Sequence, residues 1–181
     1  KIALANINTG IIYQKMEVYG DAINNFETAL SIWDKLYTTS HPTKAFTLYN
    51  LGRTYLLMTN QKVATGYFSK ALAMYQQVYG EKHPEIAAIL NDIGNIKLAE
   101  RNYHEALSSF QHALKANTTI FKSDRLEDNP GVQDFYNGNT LLYSLLFKAQ
   151  ALEARHVGQT LKFNDLQLAL HTLITCDSLI D

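Results

Sequence analysis

Apolar residues recur at helical spacing in two successive segments of the chain, separated by a short polar break. Residues 43–58 carry one apolar stripe and are predicted to form a helix, which we call helix A. Residues 62–79 carry a second stripe, helix B, whose members are Ala64, Tyr67, Phe68, Ala71, Leu72, Tyr75 and Val78. The polar pair Thr59-Asn60 between them is typical of a turn, and Gly80 favours a helix end. The pattern predicts an antiparallel pair of helices.

The same pattern returns at one fixed step of 42 residues, which relates Gly10 to Gly52 and Gly94. The step also relates Ala3, Ala45 and Ala87; Ala22, Ala64 and Ala106; Phe26, Phe68 and Phe110; Ala29, Ala71 and Ala113; and the dipeptides His41-Pro42 and His83-Pro84. A fixed period of about 20–50 residues indicates stacked repeats. We therefore predict an all-α fold, a right-handed α-solenoid of antiparallel helix pairs.

The small residues of the repeat have a packing reason. Gly52 and Ala64 are predicted to lie where helices A and B cross, because a large side chain there would hold the helices apart. Phe68 is predicted to fill the space that these small residues leave. Dense interhelical packing requires this complementarity of small and large side chains.

Composition narrows the possible partners. The 181 residues include 16 basic and 17 acidic side chains, and no basic run stands out, so nucleic acid is not expected as a ligand. No apolar run approaches the roughly 18 residues that span a bilayer, and no signal peptide is recognisable, so no membrane is expected either. The single cysteine, Cys176, fits a reducing compartment, and we predict a cytoplasmic location. The pattern is already under way near Lys1, as expected for a fragment of a longer protein.

These residues resemble the tetratricopeptide repeat, which has Gly or Ala at position 8, Tyr at 11, Ala at 20, an aromatic residue at 24 and Ala at 27. Position 11 is Tyr13 and Tyr55 here, but Lys97 in the third repeat departs from the pattern. The usual period is about 34 residues, and the longer step resembles the 42-residue class found in kinesin light chains. The resemblance covers residues 1–126 as three regular units. It implies a non-catalytic scaffold that binds a protein or peptide.

The register fails after Phe121. Residues 122–138 are polar, and a helical pattern resumes at about residues 140–155, where Ala149 and Leu152 resemble positions 8 and 11. After a loop at residues 156–163, a further helix is predicted with Asn164 as its N-cap. Its positions 20, 24 and 27 are Ala169, Leu173 and Cys176. Residues 127–181 are thus predicted to be a linker and a degenerate fourth helix pair of the same solenoid.

Short runs in this tail resemble the last repeats of bacterial proteins in which such an array precedes a C-terminal CHAT domain, a caspase-like peptidase. Examples are Lys148-Ala149-Gln150-Ala151-Leu152 and Cys176-Asp177-Ser178-Leu179-Ile180. The resemblance implies an alternative function, that of a regulatory region whose partner is its own missing C-terminal domain. A third hypothesis is self-association through the terminal repeats.

The tetratricopeptide resemblance also implies a groove lined by positions 2, 5, 6, 9, 12 and 13 of the A helices. The residues that we select from it as a peptide-binding site are Asn8, Phe46, Tyr49, Asn50, Arg53, Asn91, Asp92 and Asn95. An asparagine amide can donate to and accept from a peptide backbone at once, and an arginine can bind a carboxylate. The alternative is that the asparagines bond to neighbouring helices or face water.

Catalytic chemistry is not expected. His41 and His83 precede prolines in equivalent linkers, which favours packing or capping. His104 and His112 are eight residues apart on a predicted helix, too far for one metal ion, and Cys176 fits a small buried position. No phosphate loop, paired-carboxylate motif or zinc spacing occurs in the sequence. We therefore expect no catalytic residue, no metal and no cofactor.

Overall fold

A computed structural model describes residues 1–131, 134–158 and 163–177, and these ranges contain eight α-helices and no β-strand. The helices are α1 (Ile2–Lys15), α2 (Tyr19–Leu36), α3 (Pro42–Leu57), α4 (Gln61–Tyr79), α5 (Pro84–Ala99), α6 (Tyr103–Ala116), α7 (Gly138–Gly158) and α8 (Phe163–Asp177). The predicted all-α class is confirmed. The second repeat was predicted at residues 43–58 and 62–79, so its two helices begin within one residue of the prediction.

The chain forms two compact units, Lys1–Gly80 and Glu81–Asp181. The first unit contains the pairs α1/α2 and α3/α4, and the second contains α5/α6 and α7/α8. The core of the first unit is built around Phe26, Trp33 and Leu51. The second unit has one cluster around Phe110 and Leu152 and another that includes Leu145 and Cys176. The division at Gly80 falls between the second and third repeats; the proposed boundary at residue 126 stays a prediction.

The first three helix pairs share one turn between helix A and helix B. Glu17, Thr59 and Arg101 recur at the 42-residue step and have positive φ angles of 61°, 61° and 58°. The following N–H bonds back to the fifth preceding carbonyl; in the second pair, Asn60 N donates to Tyr55 O over 2.9 Å. This is a Schellman-type helix end, and it lies at the predicted polar break. Asn60 then caps α4 by accepting the N–H of Val63.

Each of the first three pairs closes through a glycine on helix A and a phenylalanine on helix B. A Cβ atom built on Gly52 would lie 2.6 Å from two ring carbons of Phe68, and one on Gly10 would lie 2.7 Å from the nearest ring carbon of Phe26. Gly94 meets Phe110 in the same way. All three rings are fully buried. The predicted small-large packing is therefore confirmed, with the ring lying directly on the glycine.

The two His-Pro linkers cap the helices that follow them. Nδ1 of His41 accepts the N–H of Thr43, and Nδ1 of His83 accepts the N–H of Glu85, each over 3.2 Å. Pro42 and Pro84 then occupy the first helical position, where no N–H is needed. Of the roles predicted for these histidines, capping is confirmed for both.

The third pair replaces an aromatic contact between its helices with an ion pair. In the second pair, the Tyr55 and Tyr67 rings stack with centroids 5.5 Å apart. In the third, Lys97 Nζ lies 3.0 Å from Glu100 Oε2 and 3.3 Å from Glu105 Oε2. Since Glu105 is on α6, Lys97 still joins helix A to helix B at the position where the family has tyrosine.

Residues 117–137, where they are described, form no helix but are held by many polar contacts. Lys82 Nζ donates to the carbonyls of Thr118 and Thr119 over 2.8 and 2.6 Å. The Asp134 carboxylate accepts the N–H groups of Ile120 and Phe121 over 3.0 and 3.1 Å. This segment therefore has its own hydrogen-bonded structure.

The fourth pair differs from its prediction at the turn. α7 continues to Gly158, so His156 and Val157 are helical rather than part of a loop; residues 159–162 lie outside the described residues. Because α8 begins at Phe163, Asn164 lies within its first turn, and its predicted role as N-cap is wrong. Arg155 and Asp165 join the two helices through two hydrogen bonds, one of them 2.8 Å long from Nε to Oδ2.

Candidate peptide-binding site

In the first unit, the two A helices lie side by side and a glutamine links them. Gln14 Nε2 on α1 donates to Thr54 Oγ1 on α3 over 2.9 Å and lies 3.4 Å from the carbonyl oxygen of Asn50. Thr54 in turn donates to the same carbonyl over 2.8 Å. This network fixes the α1 surface, which carries Asn8, beside the α3 surface.

The α3 surface carries a cation above an aromatic ring. The guanidinium carbon of Arg53 lies 5.8 Å from the Tyr49 ring centroid, a distance at which cations are attracted to ring faces. The Tyr49 ring itself lies 5.8 Å from that of the buried Phe68, which supports it from beneath. Arg53 and Asn8 are exposed, and Tyr49 and Phe46 are half-buried. The exposed groups thus stand on a closely packed base.

Asn50 is only 5% exposed, unlike the equivalent Asn8. Its side-chain amide donates to the carbonyl of Phe46, one turn earlier in the same helix, over 2.8 Å. The residues at position 6 of the three repeats are Asn8, Asn50 and Asp92, which are exposed, buried and half-buried, respectively. They therefore do not form a uniform polar row. Asn50 thus donates an amide proton within its own helix.

In the second unit, Asn91 joins the A helices α5 and α7. It is 4% exposed, and its Nδ2 donates to Ser144 Oγ over 2.9 Å. Because Ser144 gives its own proton to the carbonyl of Thr140, Asn91 must turn its amide nitrogen to Ser144. Its Oδ1 is buried and has no hydrogen-bond partner among the described residues. Asp92 and Asn95 are half-buried on the same helix.

Sequence reasoning missed a cavity in the fourth helix pair. A space of about 380 Å³ opens between α7 and α8, beside Ala149 and Leu173. The buried residues of α8, Asp165, Ala169, Thr172 and Cys176, have the spacing of Ala64, Phe68, Ala71 and Tyr75 on α4. The predicted assignment of Ala169, Leu173 and Cys176 to positions 20, 24 and 27 is therefore wrong, and Ala169 lies where the second pair has Phe68.

The described residues offer little for metal or nucleophile chemistry. Among them, no group of three or more histidine, cysteine, aspartate or glutamate side chains is arranged to hold a metal ion. Burial raises the pKa of the Cys176 thiol, which disfavours the reactive thiolate. No helix in the described ranges has the length and apolar character needed to cross a membrane.

The geometry defines a helical-repeat protein made of helix pairs with a shared turn and a shared glycine–phenylalanine contact. The family model of the tetratricopeptide repeat matches residues 1–77 and 63–119, which is more than half of the chain. The chain belongs to the tetratricopeptide-repeat family. No curated protein matches its sequence.

Solved structures with a similar fold include the following three proteins. BtubC (BKLC) from P. vanneervenii has a TM-score of 0.76 at 17% identity, over 98% of this chain and 63% of that one. PilF from Pseudomonas aeruginosa has a TM-score of 0.60 at 19% identity, over 98% and 60%. A putative kinesin light chain from Podospora anserina with nearly identical TPR-like repeats has a TM-score of 0.57 at 16% identity, over 97% and 93%.

At these identities the likeness concerns the fold alone. The predicted similarity to repeats of the kinesin-light-chain class is confirmed at that level. The chain spans less than two thirds of the length of the first two proteins.

Proposed function

We propose that this chain is a non-catalytic module that binds an extended protein segment along its A helices. The observation that carries the proposal is the Arg53–Tyr49 arrangement on α3, an exposed cation held over a ring that rests on a buried phenylalanine. A site built on packed helices presents its polar groups with little loss of conformational entropy on binding. Arginine is suited to a carboxylate in the bound segment.

The buried asparagines have a positioning role in this proposal. Asn91 joins α5 to α7 through its amide nitrogen, and Asn50 donates its amide within α3. Asn8, Tyr49 and Arg53 make the contacts in the first unit of this proposal. In the second unit, Asp92 and Asn95 are the contact residues. Phe46 is half-buried and packs against the core of the first unit, so it supports this surface.

The test uses a matched cation on helix B. Lys70 Nζ on α4 lies 5.6 Å from the Tyr67 ring centroid, so a cation–tyrosine pair with a similar distance is present on a B helix. Peptides would be selected from a random display library against the whole chain. Their affinity would then be measured by calorimetry for the parent chain, Arg53→Ala and Lys70→Ala.

We expect Arg53→Ala to weaken binding of the selected peptides about tenfold, the effect of losing one charge-assisted contact. Lys70→Ala should leave the affinity unchanged. Equal losses in both variants, or none in either, would contradict a binding surface on the A helices. Circular dichroism of both variants checks that the helices are intact.

The alternative, a regulatory region of a CHAT-type caspase-like peptidase, stays a prediction from the tail sequence. A full-length gene with a histidine–cysteine dyad domain downstream would support it. Self-association through the terminal repeats also stays a prediction. A molecular mass that is independent of concentration would exclude it.

A further inference from the structure

The cavity in the fourth helix pair lies where each of the other three pairs has a phenylalanine ring. In the second pair, Phe68 lies directly on Gly52, and its ring centroid is 5.8 Å from that of Tyr49. The burial patterns of α7 and α8 put Ala149 at the place of the glycine and Ala169 at that of the phenylalanine. Both alanines line the open space of about 380 Å³. The fourth pair therefore lacks the ring that closes the regular pairs.

The missing ring is one that each regular pair supplies to itself. Phe26, Phe68 and Phe110 fill this place from helix B of their own pair, so a following repeat is not needed to fill it. Leu146, which has the place of Tyr49 in the second pair, also lines the space. The cavity thus keeps the neighbours of a ring without the ring. An apolar cavity of this kind is costly to leave empty and takes up small apolar molecules.

The rim of the cavity is polar and carries the carboxylate of Glu153. Gln150 and Glu153 on α7 contribute polar groups, and the other described lining residues are leucine and alanine. Glu153 is exposed and makes no ion pair with a described residue, whereas nearby Arg155 is paired with Asp165. A carboxylate at the mouth of an apolar cavity attracts a ligand whose apolar part ends in a cation. The Gln150 amide oxygen can accept one of the N–H groups of that cation.

We propose that this cavity binds a small arylalkylamine, a free molecule in which a short chain joins one aromatic ring to a primary ammonium group. The ring lies between Ala149 and Ala169, and the ammonium faces Glu153. The volume is within the range of about 300–1,000 Å³ that ligand cavities enclose. None of the lining residues is among the contacts proposed above, and the ligand is a small molecule rather than a peptide.

The test compares phenethylamine with phenylpropionate, which keeps the ring but has a negative charge, and with ethylamine, which keeps the charge but has no ring. Binding to the isotope-labelled chain is followed by NMR titration, with the amide signals of Ala149 and Ala169 as reporters. We expect phenethylamine to bind with a Kd on the order of 1 mM. The other two compounds should bind about tenfold more weakly, since only phenethylamine both buries a ring and meets Glu153. Equal binding of all the compounds, or none, overturns the proposal.

A double variant supplies the ring from the chain itself. Ala149→Gly combined with Ala169→Phe rebuilds the contact of the regular pairs, and the glycine is needed because a Cβ atom at Gly52 would lie only 2.6 Å from the Phe68 ring. This variant should lose phenethylamine binding. Ala149→Gly alone is the matched control, since it leaves the cavity open and should bind as the parent chain does. Circular dichroism checks that both variants fold. Binding that survives in the folded double variant contradicts the proposal.

Glu153→Gln tests the charge separately from the packing. Because Glu153 is exposed, the change should leave the fold intact. Phenethylamine should bind about tenfold more weakly to this variant and should no longer be preferred over phenylpropionate. An unchanged preference for the amine overturns the proposal even if the double variant does not fold.

Discussion

In the first three helix pairs and in the fourth pair, different contacts hold the two helices together. In the first three, a buried phenylalanine lies on a glycine, and the contact is apolar and tight. In the fourth, Arg155 and Asp165 connect the helices at their turn, and a cavity remains beside Leu173. The regular pairs are therefore defined by complementary shape, whereas the last pair depends more on polar contacts.

The segment that precedes α7 is also held by polar contacts, unlike the regular helix pairs. Lys148 is fully buried on this helix, and its Nζ donates to the carbonyl of Asp128 over 2.8 Å and to Asn129 Oδ1 over 2.9 Å. Gln111 on α6 donates to the carbonyls of Ser123 and Arg125 over 3.0 and 2.8 Å. The segment before the fourth pair is thus attached by long side chains that reach its backbone.

The largest effect expected from this contrast concerns Phe110 on α6 and Leu173 on α8. Phe110→Ala removes a fully buried ring that also contacts Phe147, with centroids 5.8 Å apart, and should cost about 3–5 kcal/mol of unfolding free energy. Leu173→Ala should cost about 1 kcal/mol or less, because this side chain is partly exposed beside a cavity. Urea unfolding followed by circular dichroism measures both. Similar losses would mean that the fourth pair is packed like the third.

The next effect concerns the buried lysine. Burial lowers the pKa of Lys148 from 10.5 to about 8, although the carboxylates of Asp128 and Glu127 oppose part of the shift. The folded chain therefore binds fewer protons than the unfolded chain between pH 8 and 10.5, and its stability should rise with pH across that window. At full extent the gain is about 3 kcal/mol. Lys148→Met should abolish it, as measured by urea unfolding at a series of pH values.

Lys97 is the control for this pH dependence. Its pKa is raised by hydrogen bonds to Glu100 and then Glu105, so its contribution to stability has the opposite sign and is lost as pH rises through that pKa. Lys97→Met should therefore retain the rise seen in the parent chain. A rise that persists in Lys148→Met would show that another group causes it.

Contacts in the first three helix pairs could be predicted from the sequence more fully than those that involve the fourth pair. The Gly52–Phe68 contact was predictable because both residues recur at one step, and a repeat constrains each residue three times. The burial of Asn91 was not predictable, because periodicity identifies the face of a helix but not which residues pack on it. Its partner, Ser144, lies 53 residues away, beyond the point where the register fails. The attachment of residues 117–137 was equally hidden, because it depends on long-range contacts from single side chains such as Lys82 and Lys148.

The smallest expected effect isolates shape complementarity with one chemical change at two glycines of the second pair. Gly52→Ala places a Cβ atom 2.6 Å from the Phe68 ring and 3.3 Å from the Ala64 carbonyl oxygen, and should cost about 1–3 kcal/mol through overpacking. Gly66→Ala, on α4, meets no atom within 4 Å, so it should add up to about 1 kcal/mol through helix propensity alone. Thermal unfolding of both variants gives the signs directly. Two stabilised variants would mean that the Phe68 ring moves aside at little cost, and the glycine ladder would then not be what closes the regular pairs.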